Sequence, residues 1–136
     1  MFNNILVAVD PSHVERQGRS LAAARKLADN ASSEITALTV VEPLPGYMPP
    51  DLAHDAKVRS GDAAMKALRL LVGGRSEIKT IVQHGRPAHE IIAYAKAHAV
   101  DCIVIASHQP ELSDYLLGST ASRVVRHSPC SVIVLR

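Results

Sequence analysis

Aromatic residues make up only 3% of this 136-residue sequence. Proteins that hold single-stranded nucleic acid usually stack its bases on aromatic rings along a basic groove. The formal net charge here is +2, and Lys and Arg are scattered, often beside Asp or Glu, without a basic run. The composition therefore argues against nucleic acids and anionic membranes as partners.

Cysteine is equally scarce, with Cys102 and Cys130 each inside or beside an apolar run and no metal-binding or CxxC spacing. We expect buried thiols in a reducing compartment.

The opening "MFNNILVAVD" has no basic region and too short an apolar stretch for a signal core, and no run approaches the length of a membrane span. These features predict a cytoplasmic protein, and the length suits one domain, residues 1–136.

Several catalytic and cofactor motifs are missing. The sequence has no GxxxxGK[ST] motif, no GxGxxG after its first apolar run and no GxSxG. P-loop, Rossmann dinucleotide and serine-nucleophile sites are therefore poorly supported. The histidines are dispersed, which argues against a metal site. No paired carboxylates stand where acid–base catalysis would need them, so we expect no catalytic residues.

Continuous apolar runs are what the sequence does contain. Such runs are typical of strands that are buried on both faces of a parallel sheet. The predicted strands are Ile5–Val9, Ile35–Val41, Ile78–Gln83, Cys102–Ala106 and Val132–Leu135. The third is the most polar, which places it at a sheet edge.

Helical patterns separate these strands. A capping box, Ser12-x-x-Glu15, precedes a helix with Val14, Gly18, Leu21, Ala24 and Ala28 on one face. A second helix, Asp51–Val72, stops at two glycines, a third opens at Pro87, and a short fourth runs from about Gly118 to Ser128-Pro129. The alternation predicts an α/β fold with a mostly parallel sheet and helices on both faces.

A ligand site is expected where the strand order reverses, beyond the carboxyl ends of the strands. If the first and fourth strands are neighbours, the loops that follow Asp10 and Ala106 meet there. Gly118 begins a helix at the far end of the second loop, and helix N-termini attract phosphate. Ser119 and Thr120 would add hydroxyl donors.

Each of these residues also has an ordinary structural interpretation. Ser119 could simply cap the helix. Asp10 could contact a ribose hydroxyl or an adenine amine, or it could accept bonds from the N–H groups of the following loop. His108 could donate to a phosphate or be an exposed loop residue. Spacing alone does not choose between these alternatives.

The sequence resembles the universal stress protein family along essentially its whole length. The segments that carry the resemblance are "NILVAVDPS", "EITALTVVEP", "GRPAHEIIAYAKAHAVDCIVIASH" and "LLGSTASRVVRHSPCSVIVLR". This resemblance implies a three-layer open sandwich of the adenine nucleotide alpha hydrolase-like type. Its five-stranded parallel sheet would have the order 3-2-1-4-5.

The family's nucleotide motif reads Gly, two residues, Gly, nine residues, Gly, then Ser or Thr. Here Ala106 and Gln109 stand in place of the first two glycines, and only eight residues separate Gln109 from Gly118. The stretch is similar to the universal stress protein F-like branch, which has the same shorter loop and is understood to bind ATP. That branch usually has arginine at the position of Gln109, so the resemblance implies a weaker phosphate contact here.

The resemblance also implies a site and a role. Asp10 would contact the ribose or base edge, Val40 would offer its backbone to adenine, and the other site residues would line the pocket or approach the phosphates. Those residues are Ala8, Val9, Pro11, Ala106, Ser107, His108, Gln109, Gly118, Ser119 and Thr120. The ligand would be ATP, with or without Mg²⁺, or else AMP or another adenine nucleotide.

The last predicted strand, Val132–Leu135, resembles the edge through which family members form a homodimer or tetramer. The implied role is a stress-response sensor or regulator and not an enzyme. The alternative is an interaction module of the same fold that does not bind nucleotide. A slow ATP hydrolase ranks last.

Overall fold

The architecture comes from a computed structural model that describes residues 1–10, 13–107 and 117–136, apart from the side chains at positions 14 and 15. Five strands alternate with four helices in this part of the chain. They are β1 (Asn4–Ala8), α1 (Val14–Leu27), β2 (Glu34–Val41), α2 (Pro50–Val72), β3 (Ile78–His84), α3 (Pro87–Ala97), β4 (Cys102–Ala106), α4 (Ser119–His127) and β5 (Ser131–Leu135). The strand bounds differ from the predicted ones by at most one residue.

All strands are parallel and lie in the order β3-β2-β1-β4-β5. The central strand β1 pairs on both sides, so that Ala8 lies opposite Leu38 of β2 and Ile105 of β4. This confirms the predicted order and places β3 at an edge. From β1 to β3 the chain adds strands on one side of β1, and from β4 onwards it adds them on the other side. The strand order therefore reverses between β1 and β4, which is where such sheets bind ligands.

The alternation of side chains along β1 divides the core into two layers. Ile5 and Val7 point to the face covered by α1 and α2, where they pack with Leu21 and Leu68. The other face packs against α3 and α4, and its buried residues include Leu6, Ala8, Leu38, Ile91, Ile103 and Val124. Both faces of the central strands are therefore buried away from water, which explains why their apolar runs are unbroken.

The start of α1 differs from the prediction. Its N-cap is His13, and no side chain caps it. Ser12 of the predicted capping box lies outside the described residues. The buried face of α1 is also rotated from the expected one, because Gln17 and Ser20 are buried whereas Gly18 is exposed. The spacing of apolar residues does not predict this face, because two of its buried residues, Gln17 and Ser20, are polar.

Helix α2 ends where the sequence predicts. Gly73 adopts a left-handed conformation with φ of 68°, and its N–H donates to the Arg69 carbonyl at 3.0 Å. A residue with a Cβ is strained in this conformation, whereas glycine is not. The glycine therefore fixes where the chain leaves the helix for β3.

At the amino-terminal end of the sheet, the carboxylate of one residue joins the start of β1 to the start of β4. Asp101, just before β4, accepts the backbone N–H of Asn3 at 2.8 Å and that of Asn4 at 3.1 Å. These bonds join residues 98 and 97 positions apart in the sequence. They fix β4 beside β1 at the end opposite to the expected ligand site.

Strand β5 is the outer strand beyond β4, and four of its five residues are only half-buried. The assembly predicted through Val132–Leu135 stays a prediction. In the described ranges, no helix is both long and apolar enough to cross a bilayer.

Two hydrogen bonds extend the contact of β1 with β2 beyond the end of β1. The Val9 N–H donates to the Leu38 carbonyl at 2.8 Å, and the Thr39 hydroxyl donates to the Val9 carbonyl at 2.7 Å. Thr39 is buried, so its hydroxyl and the Val9 carbonyl satisfy each other away from water.

We expect Thr39→Val to lower the free energy of unfolding by about 1–3 kcal/mol, because it leaves the Val9 carbonyl unpaired in the interior. Urea unfolding measures the change. The control is Thr80→Val on the partly exposed edge strand β3, which should alter stability by less than about 0.5 kcal/mol. Equal effects of the two substitutions would contradict the assigned bond.

The two thiols are both free, and Cys102 is fully buried at the start of β4. Burial, together with Cys130 and Asp101 nearby, raises the pKa of the Cys102 thiol from 9.0 to about 11. The unfolded chain therefore loses this proton at lower pH than the folded one does.

The free energy of unfolding should accordingly fall as pH rises from about 9 to about 11, because the ionised thiol is favoured in the unfolded state. Cys102→Ala should reduce that fall, and Cys130→Ala should reduce it less, because burial, the largest cause of the raised Cys102 pKa, remains. Urea unfolding at pH 8 and pH 10.5 tests this. A fall of the same size in Cys102→Ala would show that other groups cause it.

Candidate functional site

A cavity of about 340 Å³ opens at the carboxyl ends of β1, β2 and β4. It lies between the start of α1 on one side and the starts of α3 and α4 on the other. Its described lining comprises Ala8, Val9, Asp10, His13, Arg16, Gln17, Leu38, Thr39, Val40, Glu42, Pro87, Ile91, Ile105, Ala106, Gly118, Ser119, Thr120 and Ala121. The volume is in the range of small-molecule sites, about 300–1,000 Å³.

Most of the residues singled out from the sequence meet at this cavity. Ala8, Val9, Asp10, Val40, Ala106, Gly118, Ser119 and Thr120 all line it. Ser107 is not part of the lining, but its hydroxyl accepts the Gly118 N–H at 3.4 Å and so helps to position the start of α4. Pro11, His108 and Gln109 lie outside the described residues.

Helix α4 begins at the cavity without a side-chain cap. Gly118 is its N-cap residue and Ser119 its first helical residue, so the interpretation of Ser119 as the cap is wrong. The helix end still has backbone N–H groups without intrahelical partners and a partial positive charge. An anion could therefore accept bonds from this end, as phosphate does at other helix N-termini.

The backbone conformation of Gly118 does not require glycine. Its φ of −57° is open to any residue. What glycine contributes here is the missing Cβ, which leaves the backbone open to close approach from the cavity. This agrees with the sequence-based expectation that an oxygen atom comes near this residue.

The polar rim of the cavity lies at the start of α1. The Asp10 carboxylate is half-exposed, and its Oδ2 lies 3.9 Å from Nε2 of His13. The His13 N–H donates to the Asp10 carbonyl at 3.1 Å. Arg16 follows one turn later and also lines the cavity. The rim therefore presents both signs of charge.

The interior of the cavity is apolar on the side of α3 and α4. Leu38, Ile91, Ile105 and Ala121 contribute there, and all four are buried. An apolar interior with polar groups at its two ends suits a ligand with a flat hydrophobic part and an anionic part.

Sequence reasoning missed several lining residues. Arg16 and Gln17 lie on the α1 face that points to the cavity, and Thr39 is a polar residue near the end of a buried strand. A signal for Thr39 was present, since strand alternation places Ile35, Ala37 and Thr39 on one face. No such signal marked Gln17, whose helix face became evident only from the packing.

The described residues include no group of three or more His, Cys, Asp or Glu side chains that could hold a metal ion. The acidic side chains at the cavity are Asp10 and Glu42.

Comparison with known proteins places this geometry in a family. The model of the universal stress protein family matches residues 1–136. Universal stress protein YxiE of Bacillus subtilis is 29% identical, with full coverage of both chains. The solved structure of UspA from Lactobacillus plantarum is 34% identical, covers 99% of this chain and 98% of its own, and has a TM-score of 0.73.

A universal stress protein from Archaeoglobus fulgidus, solved in complex with dAMP, is 23% identical, with coverage of 99% and 98% and a TM-score of 0.54. At that identity the likeness shows the fold alone. Together with the strand order, these structural matches confirm the adenine nucleotide alpha hydrolase-like architecture. The family match over the whole sequence establishes that the chain belongs to the universal stress protein family.

Proposed function

We propose that this protein binds an adenine nucleotide, with ATP as the leading ligand, in the cavity at the carboxyl ends of β1, β2 and β4. The observation that carries the proposal is the start of α4, which meets an apolar cavity without a side-chain cap. The alternative, an interaction module of the same fold without nucleotide, rests on Ala106 and Gln109 in place of two motif glycines.

The phosphates would bind at the start of α4. Backbone N–H groups there and the hydroxyls of Ser119 and Thr120 would donate to phosphate oxygens. Gly118 would allow these oxygens to approach, because no side chain stands in the way. Ser107, His108 and Gln109 would approach the phosphates from the other loop, as the family resemblance implies.

The nucleoside would occupy the part of the cavity nearer to β1 and β2. Asp10 would accept a ribose hydroxyl or contact the base edge, and Val40 would offer its backbone to adenine. Ala8, Val9, Pro11 and Ala106 would complete the pocket wall. The dAMP bound by the Archaeoglobus relative supports this ligand class, although its low identity carries no residue assignment.

Magnesium would enter with the nucleotide. Mg²⁺ usually keeps several waters and is held by substrate phosphates with one or two carboxylates. Asp10 and Glu42 are the carboxylates at the cavity that could contribute.

The proposed role is a cytoplasmic stress-response sensor or regulator that acts by binding and not by catalysis. It would work as a homodimer or tetramer joined through Val132–Leu135 of β5. The F-like branch, with its shortened loop, remains the predicted place of this chain within the family.

Thermal unfolding with ATP, AMP and GTP, each with and without Mg²⁺, tests the ligand class. A ligand that binds only the folded protein raises stability by about 2.7 kcal/mol at a hundredfold excess over its Kd. We expect ATP to raise the Tm and GTP to have a smaller effect. No shift with any of the three at millimolar concentration would overturn the proposal in favour of the interaction module.

Two variants test the location of the phosphates. Gly118→Val places a branched side chain at the α4 start, and we expect it to weaken ATP binding at least tenfold. Ser119→Ala removes one neutral hydroxyl donor and should weaken binding about threefold to tenfold, consistent with roughly 0.5–1.5 kcal/mol. Isothermal titration calorimetry measures both.

The matched control is Ser122→Ala, on the same helix but away from the cavity lining, where the hydroxyl donates to the Leu117 carbonyl. It should leave the affinity for ATP unchanged. Unchanged affinity in Gly118→Val and Ser119→Ala would mean that the nucleotide binds elsewhere.

A further inference from the structure

Gln17 lies in the wall of the cavity with an unsatisfied hydrogen-bond acceptor. The residue is 4% exposed, and it contributes to the lining. Within the part of the chain that the structure describes, its Oε1 is the one buried side-chain nitrogen or oxygen atom without a hydrogen-bond partner. Buried polar atoms are nearly always paired, so this oxygen calls for an explanation.

The packing of the folded chain does not explain why Gln17 has an unpaired oxygen at this position. Ser20, one turn further along the same buried face, satisfies its hydroxyl within α1 by donating to the Arg16 carbonyl at 3.4 Å. Thr39, a polar residue of β2 in the same cavity lining, donates its hydroxyl to the Val9 carbonyl. An apolar side chain of similar length at position 17 would fill the space without an unpaired oxygen.

The position of Gln17 relative to α4 indicates which part of a ligand it would meet. α1 packs on one face of the sheet with α2, and α4 packs on the other with α3. The cavity spans both faces over the end of β1. With phosphates at the α4 start, the rest of the nucleotide would extend across the cavity towards the α1 wall, which includes Gln17.

A carboxamide offers an acceptor and a donor side by side. Adenine presents the complement, a 6-amino donor beside a ring-nitrogen acceptor, and Gln forms such paired bonds with adenine in other complexes. We propose that Gln17 recognises the adenine base, with its Oε1 accepting a hydrogen bond from the 6-amino group. This inference rests on the proposed nucleotide function and adds the residue that reads the base.

The test compares ATP with purine riboside triphosphate, which keeps the ring, the ribose and the phosphates but lacks the 6-amino group. Calorimetric titration of the unaltered protein should show tighter binding of ATP. In Gln17→Met, an unbranched apolar replacement, we expect ATP affinity to fall about tenfold or more, with little change for purine riboside triphosphate. The ratio of the two Kd values should therefore move towards one.

Unliganded stability gives a second readout, because a merely structural role predicts a different result. Gln17→Met should keep or raise the Tm without ligand, since it removes a buried unpaired oxygen. Ser20→Ala is the control on the same helix face outside the lining, and it should leave the ratio of Kd values unaltered.

Three results would overturn the inference. An unchanged ratio in Gln17→Met, with ATP still bound by the unaltered protein, would refute base recognition and leave the proposed function standing. An equal loss of affinity for both nucleotides together with a lower Tm would assign Gln17 a structural role. No binding of either nucleotide by the unaltered protein would refute the proposed function and this inference together.

Discussion

The pairing of β1 with β2 on one side and β4 on the other is the contact on which the rest of the structure depends. Because all three strands are parallel, their carboxyl ends lie at the same edge of the sheet. Helix α1, which follows β1, and helix α4, which follows β4, pack on opposite faces of the sheet, and a crevice opens between their starts over the end of β1. Without this arrangement, α1 and α4 would not border the same cavity.

The cavity consequently has two walls of different character. The α4 wall offers an uncapped helix end and small or hydroxyl-bearing residues, whereas the α1 wall offers a carboxamide and charged side chains at the rim. A ligand with an anionic end and a flat hydrogen-bonding end matches this asymmetry.

The strands and the parallel sheet could be predicted from the apolar runs because both faces of β1 and β4 are buried. The strand order could not be predicted from these runs, because periodicity does not identify which strands are neighbours. Only the family resemblance implied the order. The α4 side of the cavity could be predicted, because Gly118 and the hydroxyl residues after it form a local pattern. Gln17 could not be predicted, because a polar residue within a helix is recognised as part of a site only when packing places it in the cavity wall.

The bonds from Asp101 to the backbone of Asn3 and Asn4 have a consequence for how the chain folds. They tie the first strand to a residue nearly a hundred positions later, so closing this end of the sheet requires contacts of high sequence separation, which form slowly. During synthesis, β2 can pair with β1, and β3 can then pair with β2, well before β4 leaves the ribosome. The central strand therefore spends that interval as an open, apolar edge, and the growing chain is most prone to aggregation between the emergence of β1 and that of β4.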